Sequence, residues 1–142
     1  MRISTDEVTD GSLDGERVWI CDYRRQDPLK KAQRSVPPTL VEVVSNELLP
    51  ANKTIYYSES HFRPVSSKGV VLSKVIPLYD NTGYRSYAGI PLNVFDNYEE
   101  CVAHYNLQVN VVVDTLYEAV EEVTSQLRGA ITEVEGLLVR VE

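Results

Sequence analysis

The chain changes texture at Glu16. In ERVWICDYR (16–24), Val18, Ile20 and Asp22 alternate with Arg17, Trp19, Cys21 and Tyr23, a period-two pattern rich in β-branched and aromatic residues that predicts a strand. Before it, residues 1–15 are polar, aperiodic and glycine-bearing, which predicts a flexible arm or at most an edge strand. After it comes a charged loop containing Pro28. Pro37-Pro38 then introduces TLVEVVSN (39–46), a second β-branched run. Residues 54–58 (TIYYS) give a third short strand. Lys68-Gly69 is a turn signal ahead of VVLSKVIPLY (70–79), a fourth strand that Pro77 ends or pushes to an edge. Residues 92–95 (LNVF) supply the fifth. Five short strands with loops of this length predict a β-rich anchor over residues 16–96, built as a small twisted antiparallel sheet or a partly open barrel.

From Asp96 the period lengthens. Asp96-Asn97-Tyr98-Glu99 fits a capping box with Asp96 as the N-cap. Beyond it Val102, Tyr105, Val109, Val112, Leu116, Val120, Val123, Leu127, Ala130, Val134, Leu137 and Val141 recur at spacings of three and four, a heptad-like seam with most acids off it. The expected class is therefore α+β: a sheet followed by a long C-terminal helical segment, residues 97–142. Unbroken, that segment spans roughly 65–70 Å, well beyond the ~13 Å gyration radius of a 100-residue domain, so it cannot pack on its own sheet alone. It either folds back as a hairpin, with the break at Arg128-Gly129, or mediates self-association, a homodimer or a multiple of dimers.

Charge changes this picture in one respect. The net charge of −7 belongs to residues 97–142, which hold nine acids against Arg128 and Arg140, while residues 1–96 carry twelve cations and twelve acids. Within that neutral body, RRQDPLKKAQR (24–34) holds five cations against Asp27, so an anionic ligand is admissible there. An acidic tail disfavours a nucleic-acid polymer as partner, which excludes the SH3-like nucleic-acid module that GERVWICDYR otherwise suggests from first place. No stretch approaches the ~18 apolar residues of a membrane span and the acidic start is unlike a signal peptide, so the chain is expected to stay in the cytoplasm where it is made. Cys21 and Cys101 lack metal or disulfide spacing and read as reduced core thiols; no metal or cofactor is expected.

The chemistry points to binding rather than catalysis. His61 and His104 lie near no nucleophile motif, Cys101 and His104 read as an ordinary pair at helical spacing, and the Glu pairs sit on a solvated helix face. Asp80-to-Gly89 (DNTGYRSYAG) is richer. Its glycines permit close backbone approach, Asn81 and Thr82 supply directional polar groups, Tyr84 or Tyr87 offers a flat face for a base, and Arg85 can stack or grip a phosphate. The plainer reading is a turn whose tyrosines cover the core. Tyr23-Arg24-Arg25 repeats the pairing of aromatic ring and guanidinium at a strand end, and two such pairs suit a ligand with rings and phosphates. His61-Phe62-Arg63 has a similar composition but reads as a loop anchor before Pro64.

The succession GERVWICDYR, VPPTLVEVVSN, NKTIYYSESHFRP and SKVIPLYDNTGYRSYAGIPLNVFDNYEEC, followed by a long helical tail, resembles the phage anti-Thoeris sponge proteins of the first described type. The resemblance covers roughly residues 15–128 and is most specific in DNTGYRSYAGIPLNVFD. It implies a non-enzymatic protein that sequesters the cyclic ADP-ribose signal of a bacterial TIR-domain defence protein, acting in the cytoplasm of the infected host. It further implies dimers or their multiples with ligand pockets lined by two protomers, and in some members of the family cyclic trinucleotides as ligands at a separate site. Residue by residue it assigns phosphate contact to Arg24, base stacking and phosphate contact to Tyr84 and Arg85, and polar recognition to Asn93. Basic residues are expected from the helix, and since residues 97–127 hold none, Arg128 takes that place. The rival from another class is a phage structural or scaffolding protein in which the seam carries the function.

Overall fold

The computed structural model describes residues 1–50, 55, 58–80, 89–139 and 141. Its elements in chain order are β1 (Arg2–Ile3), α1 (Thr5–Thr9), β2 (Arg17–Arg24), β3 (Arg34–Ser45), a 3-10 turn at Asn46–Leu48, β4 (Ser60–Pro64), β5 (Tyr79–Asp80), β6 (Ile90–Pro91), β7 (Asn93–Phe95) and α2 (Tyr98–Glu135). Five strands form one open antiparallel sheet in the order β1-β7-β2-β3-β4, and β5 and β6 pair as a separate two-stranded ribbon. The architecture is α+β with an open sheet and a single long C-terminal helix.

The alternation along β2 sorts the sheet's two faces. Val18 and Ile20 point into a core with Val41, Val43, Phe62, Leu78, Leu92 and Val94, all buried, and Val8 of α1 closes it. Each fully buried side chain of this size contributes about 1.5–3 kcal/mol relative to an exposed one. Trp19 and Cys21 face the other way, where Phe95 of β7 and Cys101 and Tyr105 of α2 form a second, smaller core. Of the two expectations for the N-terminal stretch, the edge strand is the one that appears: β1 lies at the sheet's edge with Arg2 and Ile3 paired to Phe95 and Val94, Ser4 caps α1 through its hydroxyl, and Val8 has no exposed surface.

Several expected boundaries move. β3 begins at Arg34, before the two prolines, because Pro37 and Pro38 lie in a bulge: Ile20 pairs with Thr39 but Asp22 with Val36, so β3 carries one residue more than β2 across that gap. Prolines lack the ladder N–H, and a bulge is where a sheet tolerates them. Residues 70–79 do not form a long strand. They touch the sheet through isolated bridges, Val65 with Val71 and Phe62 with Ile76, and only Tyr79 and Asp80 are paired as β5. The edge strand is instead Ser60–Pro64, with His61 and Phe62 fully buried, so the third aromatic–arginine candidate belongs to the core. The strand expected at 54–58 falls largely outside the described residues.

Helix α2 starts one residue later than expected. Asn97, not Asp96, is the N-cap: its Oδ1 accepts from the Glu100 amide at 2.9 Å, and Asp96 lies outside the helix. The helix runs 38 residues, about 57 Å at ~1.5 Å per residue. It passes through Gly129 without a break or a hairpin, since one glycine weakens a helix by only about 1 kcal/mol. Its first four turns lie on the sheet: Tyr98 packs on Trp19 with ring centroids 4.7 Å apart, Cys101 on Cys21, His104 on Phe95 at 5.5 Å and Tyr105 edge-on to Tyr23 at 6.2 Å. Beyond Val112 the seam is open to solvent, with Val120 61%, Leu127 59% and Val134 63% exposed in the single chain. No helix among the described residues is long and apolar enough to cross a membrane.

Candidate functional site: a cleft between β2 and α2

Where β2 ends, α2 crosses it and leaves an open cleft of about 410 Å³. Tyr23, Arg24, Arg25 and Gln26 form one wall, Gln108, Val111 and Val112 of α2 the opposite one, and Ile90 of β6 an end. The strand-end triplet that the sequence singles out is thereby gathered in one place.

Beneath the cleft lies Asp22, which has no exposed surface. A buried carboxylate is tolerable only when charge and hydrogen bonds compensate it, and here both oxygens are engaged. Oδ2 accepts from Arg34 Nε at 2.6 Å and from Arg24 Nε at 3.1 Å, and it is ion-paired with Arg34 Nη2. Oδ1 accepts from Asn93 Nδ2 at 3.1 Å and from Gln108 Nε2 at 2.8 Å. Arg34 is committed further, donating to the carbonyls of Ile90 at 2.6 Å and Pro91 at 3.1 Å, which fixes β6 at the end of the cleft. Two guanidiniums, those of Arg24 and Arg34, thus meet one carboxylate, and with Arg25 also lining the cleft the three cations outnumber the one acid.

Arg25 is the second cation lining the cleft, beside Arg24. Its Nη1 lies 3.5 Å from the Tyr23 hydroxyl, and its Nε is buried with no hydrogen-bond partner among the described residues. Leaving a buried donor unmade costs about 1–3 kcal/mol, more for a charged group, so such an atom calls for a partner that the described residues do not supply. The Arg24 side chain is one-third exposed, and among the described residues it spends only Nε, on Asp22. Tyr23, steadied edge-on by Tyr105, offers an aromatic face beside both.

The other expected site residues separate from this group. Asn93 is buried beneath the cleft and its amide is occupied: Oδ1 accepts from Arg2 at 2.6 Å, while Nδ2 donates to Asp22 and to the Cys21 carbonyl. It holds the floor together and is not among the residues lining the cleft, because a buried polar side chain on the interior strand β7 must be satisfied internally. Arg128 lies twenty residues beyond Gln108 on the same helix, roughly 30 Å away, so within one chain it does not join the cleft. Asn81, Thr82, Tyr84, Arg85 and Tyr87 lie outside the described residues. Asp22 and Gln108 were not singled out in the sequence: an Asp in strand alternation and a Gln within a helix carry no motif, and only the fold brings them together.

The remaining titratable groups have structural explanations. The Cys21 thiol is pushed up by its hydrogen bond with Cys101 and by burial, which favours its protonated form. Burial, with Arg2 nearby, holds the His104 imidazole below its ordinary value, and it packs on Phe95. His61 has both ring nitrogens occupied, Nδ1 by Asn46 Oδ1 and Nε2 by Arg63 Nε, each at 3.0 Å. Among the described residues no group of three or more potential metal ligands forms. No protein-family model, curated protein or solved structure matches the chain.

Proposed function

We propose that this protein is a non-enzymatic sponge which binds a cyclic ADP-ribose type signalling nucleotide in the β2–α2 cleft, and so blocks Thoeris anti-phage defence in the cytoplasm of an infected bacterium. The observation that carries the reading is Arg25, whose buried Nε has no partner among the described residues at the edge of a cleft that also holds Tyr23 and Arg24. A guanidinium pair beside an aromatic face is the chemistry that takes up a phosphate and a base together. The volume falls in the ~300–1,000 Å³ class of small-molecule sites. Tyr84 and Arg85 remain part of the proposal through the family resemblance. Binding without turnover is supported by the two histidines, each engaged in packing or hydrogen bonds away from the cleft.

Self-association belongs to the same proposal, with a second copy of this chain as the occupant of the open seam. Asp114, Glu118, Glu121, Glu122 and Arg128 fall on the outer positions of the repeat, while of the flanking positions from Tyr117 to Glu133 only Glu133 is charged, Tyr117, Ala119, Thr124, Gln126 and Ile131 being neutral. Two acidic helices of this pattern can meet along the seam with most of their charges turned outward. The exposed seam also favours the structural or scaffolding reading, in which no nucleotide is bound. A thermal-shift screen with cyclic ADP-ribose isomers and cyclic oligonucleotides separates the two: ligand at 100 times its dissociation constant adds about 2.7 kcal/mol to stability. A clear rise in midpoint with a cyclic ADP-ribose isomer is expected, and no shift with any of these ligands would leave the scaffolding reading.

A further inference from the structure

Gln108 stands where α2 crosses the end of β2, and its two amide atoms are divided between adjacent residues of that strand. Nε2 donates to Asp22 Oδ1 at 2.8 Å, and Oε1 accepts the Tyr23 amide hydrogen at 3.0 Å. The same Asp22 carboxylate receives Arg24 Nε at 3.1 Å on its other oxygen. Gln108, Asp22 and Arg24 therefore form one relay from the helix, through a buried carboxylate, to a guanidinium at the cleft. Arg24 enters this relay by Nε, which leaves its two terminal nitrogens without a partner among the described residues.

We propose that Gln108 is the positioning residue of the cleft: by holding Asp22 and the Tyr23 backbone together, it fixes the Arg24 guanidinium for an anionic group, so that the anion-binding wall forms only with α2 seated on β2. The position demands a donor and an acceptor on one side chain of this length. Ala supplies neither, an ionised carboxylate lacks the donor and meets Asp22 with like charge, and a protonated carboxyl restores both. The use of that wall for a nucleotide phosphate rests on the functional reading above; the relay itself does not.

Two variants test it with two readouts. In ¹⁵N-labelled protein the Arg24 Nε–H resonance reports the bond to Asp22, and calorimetry with a cyclic ADP-ribose isomer as probe reports the use of the site. Gln108→Ala is expected to lose the Nε–H resonance to solvent exchange and to bind about tenfold more weakly, one decade being ~1.4 kcal/mol. Gln108→Glu should match Gln108→Ala at pH 8, then regain both resonance and affinity as the pH falls and the introduced carboxyl takes up a proton. Among the described residues, the charged and titratable groups around that carboxyl are Asp22, Tyr23 and Arg24 on β2, Arg25 just beyond it, Arg34 on β3, Arg2 reaching Asn93 from β1, and His104 and Tyr105 about one turn back on α2. The unmodified protein, followed over the same pH range, carries every one of these and corrects for them. An Arg24 resonance unchanged in Gln108→Ala, or a Gln108→Glu deficit that does not vary with pH, overturns the proposal. If the resonances behave as expected and the unmodified protein ignores the probe, the relay stands and the nucleotide reading fails.

Discussion

Arg34 Nε donates to Asp22 Oδ2 at 2.6 Å, and the two side chains are 5% and 0% exposed. The pair joins β2 to β3 at the strand ends and, through the carbonyls of Ile90 and Pro91, ties β6 to the sheet. Asp22→Asn leaves the Arg34 charge buried without its counter-ion, a change that costs about 3–5 kcal/mol. The denaturant midpoint should fall accordingly. Replacing both partners by apolar residues, Asp22→Leu with Arg34→Met, should cost less than the sum of the two single changes. A single variant as stable as the unmodified protein would show that the pair does not carry this corner of the fold.

His61 makes stability fall on acidification. Arg63 Nε donates to His61 Nε2, so the ring proton sits on Nδ1 and is donated to Asn46. Burial, and then the Arg63 charge, depress its pKa below the ordinary value of about 6.5. The unfolded chain therefore binds more protons than the folded one below about pH 6.5, and the contribution present above that value is lost as pH drops towards the depressed one. His104 shifts in the same direction. Melting temperature should decline from pH 7.5 to 5.5, and His61→Gln should flatten part of that slope. An unmodified protein with a flat profile over this range would contradict the assignment.

How much of this was legible beforehand depends on how local each signal is. The strand at Arg17–Arg24 and the long helix are written in period-two and heptad patterns, and both appear. The cap was one residue out, because Asp96 and Asn97 are both competent N-cap types and only backbone geometry chooses between them. The edge strand Ser60–Pro64 was hidden because SHFRP has no apolar alternation: its His61 is buried through partners 15 residues upstream and two residues downstream. Residues 70–79 misled in the opposite sense, with β-branched residues that make bridges but no ladder. At the cleft, Tyr23, Arg24 and Arg25 could be read as chemistry because they are neighbours in sequence. Gln108 could not, since its partner Asp22 is 86 residues away.

The open seam predicts assembly. Leu116 is half-buried and Val123 is 53% exposed in the single chain, so neither is needed for the sheet's own core. Leu116→Glu with Val123→Glu would bury two unpaired charges in a helix–helix seam while leaving the sheet folded. Light scattering should report a dimer or larger assembly for the unmodified protein and a monomer or aggregate for the double variant. An oligomer of unchanged mass would mean that the seam is not the contact.

The central claim is that the Tyr23–Arg24–Arg25 cleft holds a cyclic ADP-ribose type nucleotide and leaves it intact. Calorimetric titration of the unmodified protein and of Arg25→Ala, with the bound nucleotide recovered by heating and analysed, tests it most directly. Saturable binding is predicted for the unmodified protein, and also for Lys68→Ala, whose exposed turn lies outside the cleft. Arg25→Ala should bind roughly 10- to 150-fold more weakly, the equivalent of a charge-assisted contact of about 1.5–3 kcal/mol, and Arg25→Lys should be impaired as well for want of the planar fork. The recovered nucleotide should be chemically unchanged. Binding by Arg25→Ala as tight as by the unmodified protein, or recovery of a hydrolysed product beyond one per site, would contradict the account.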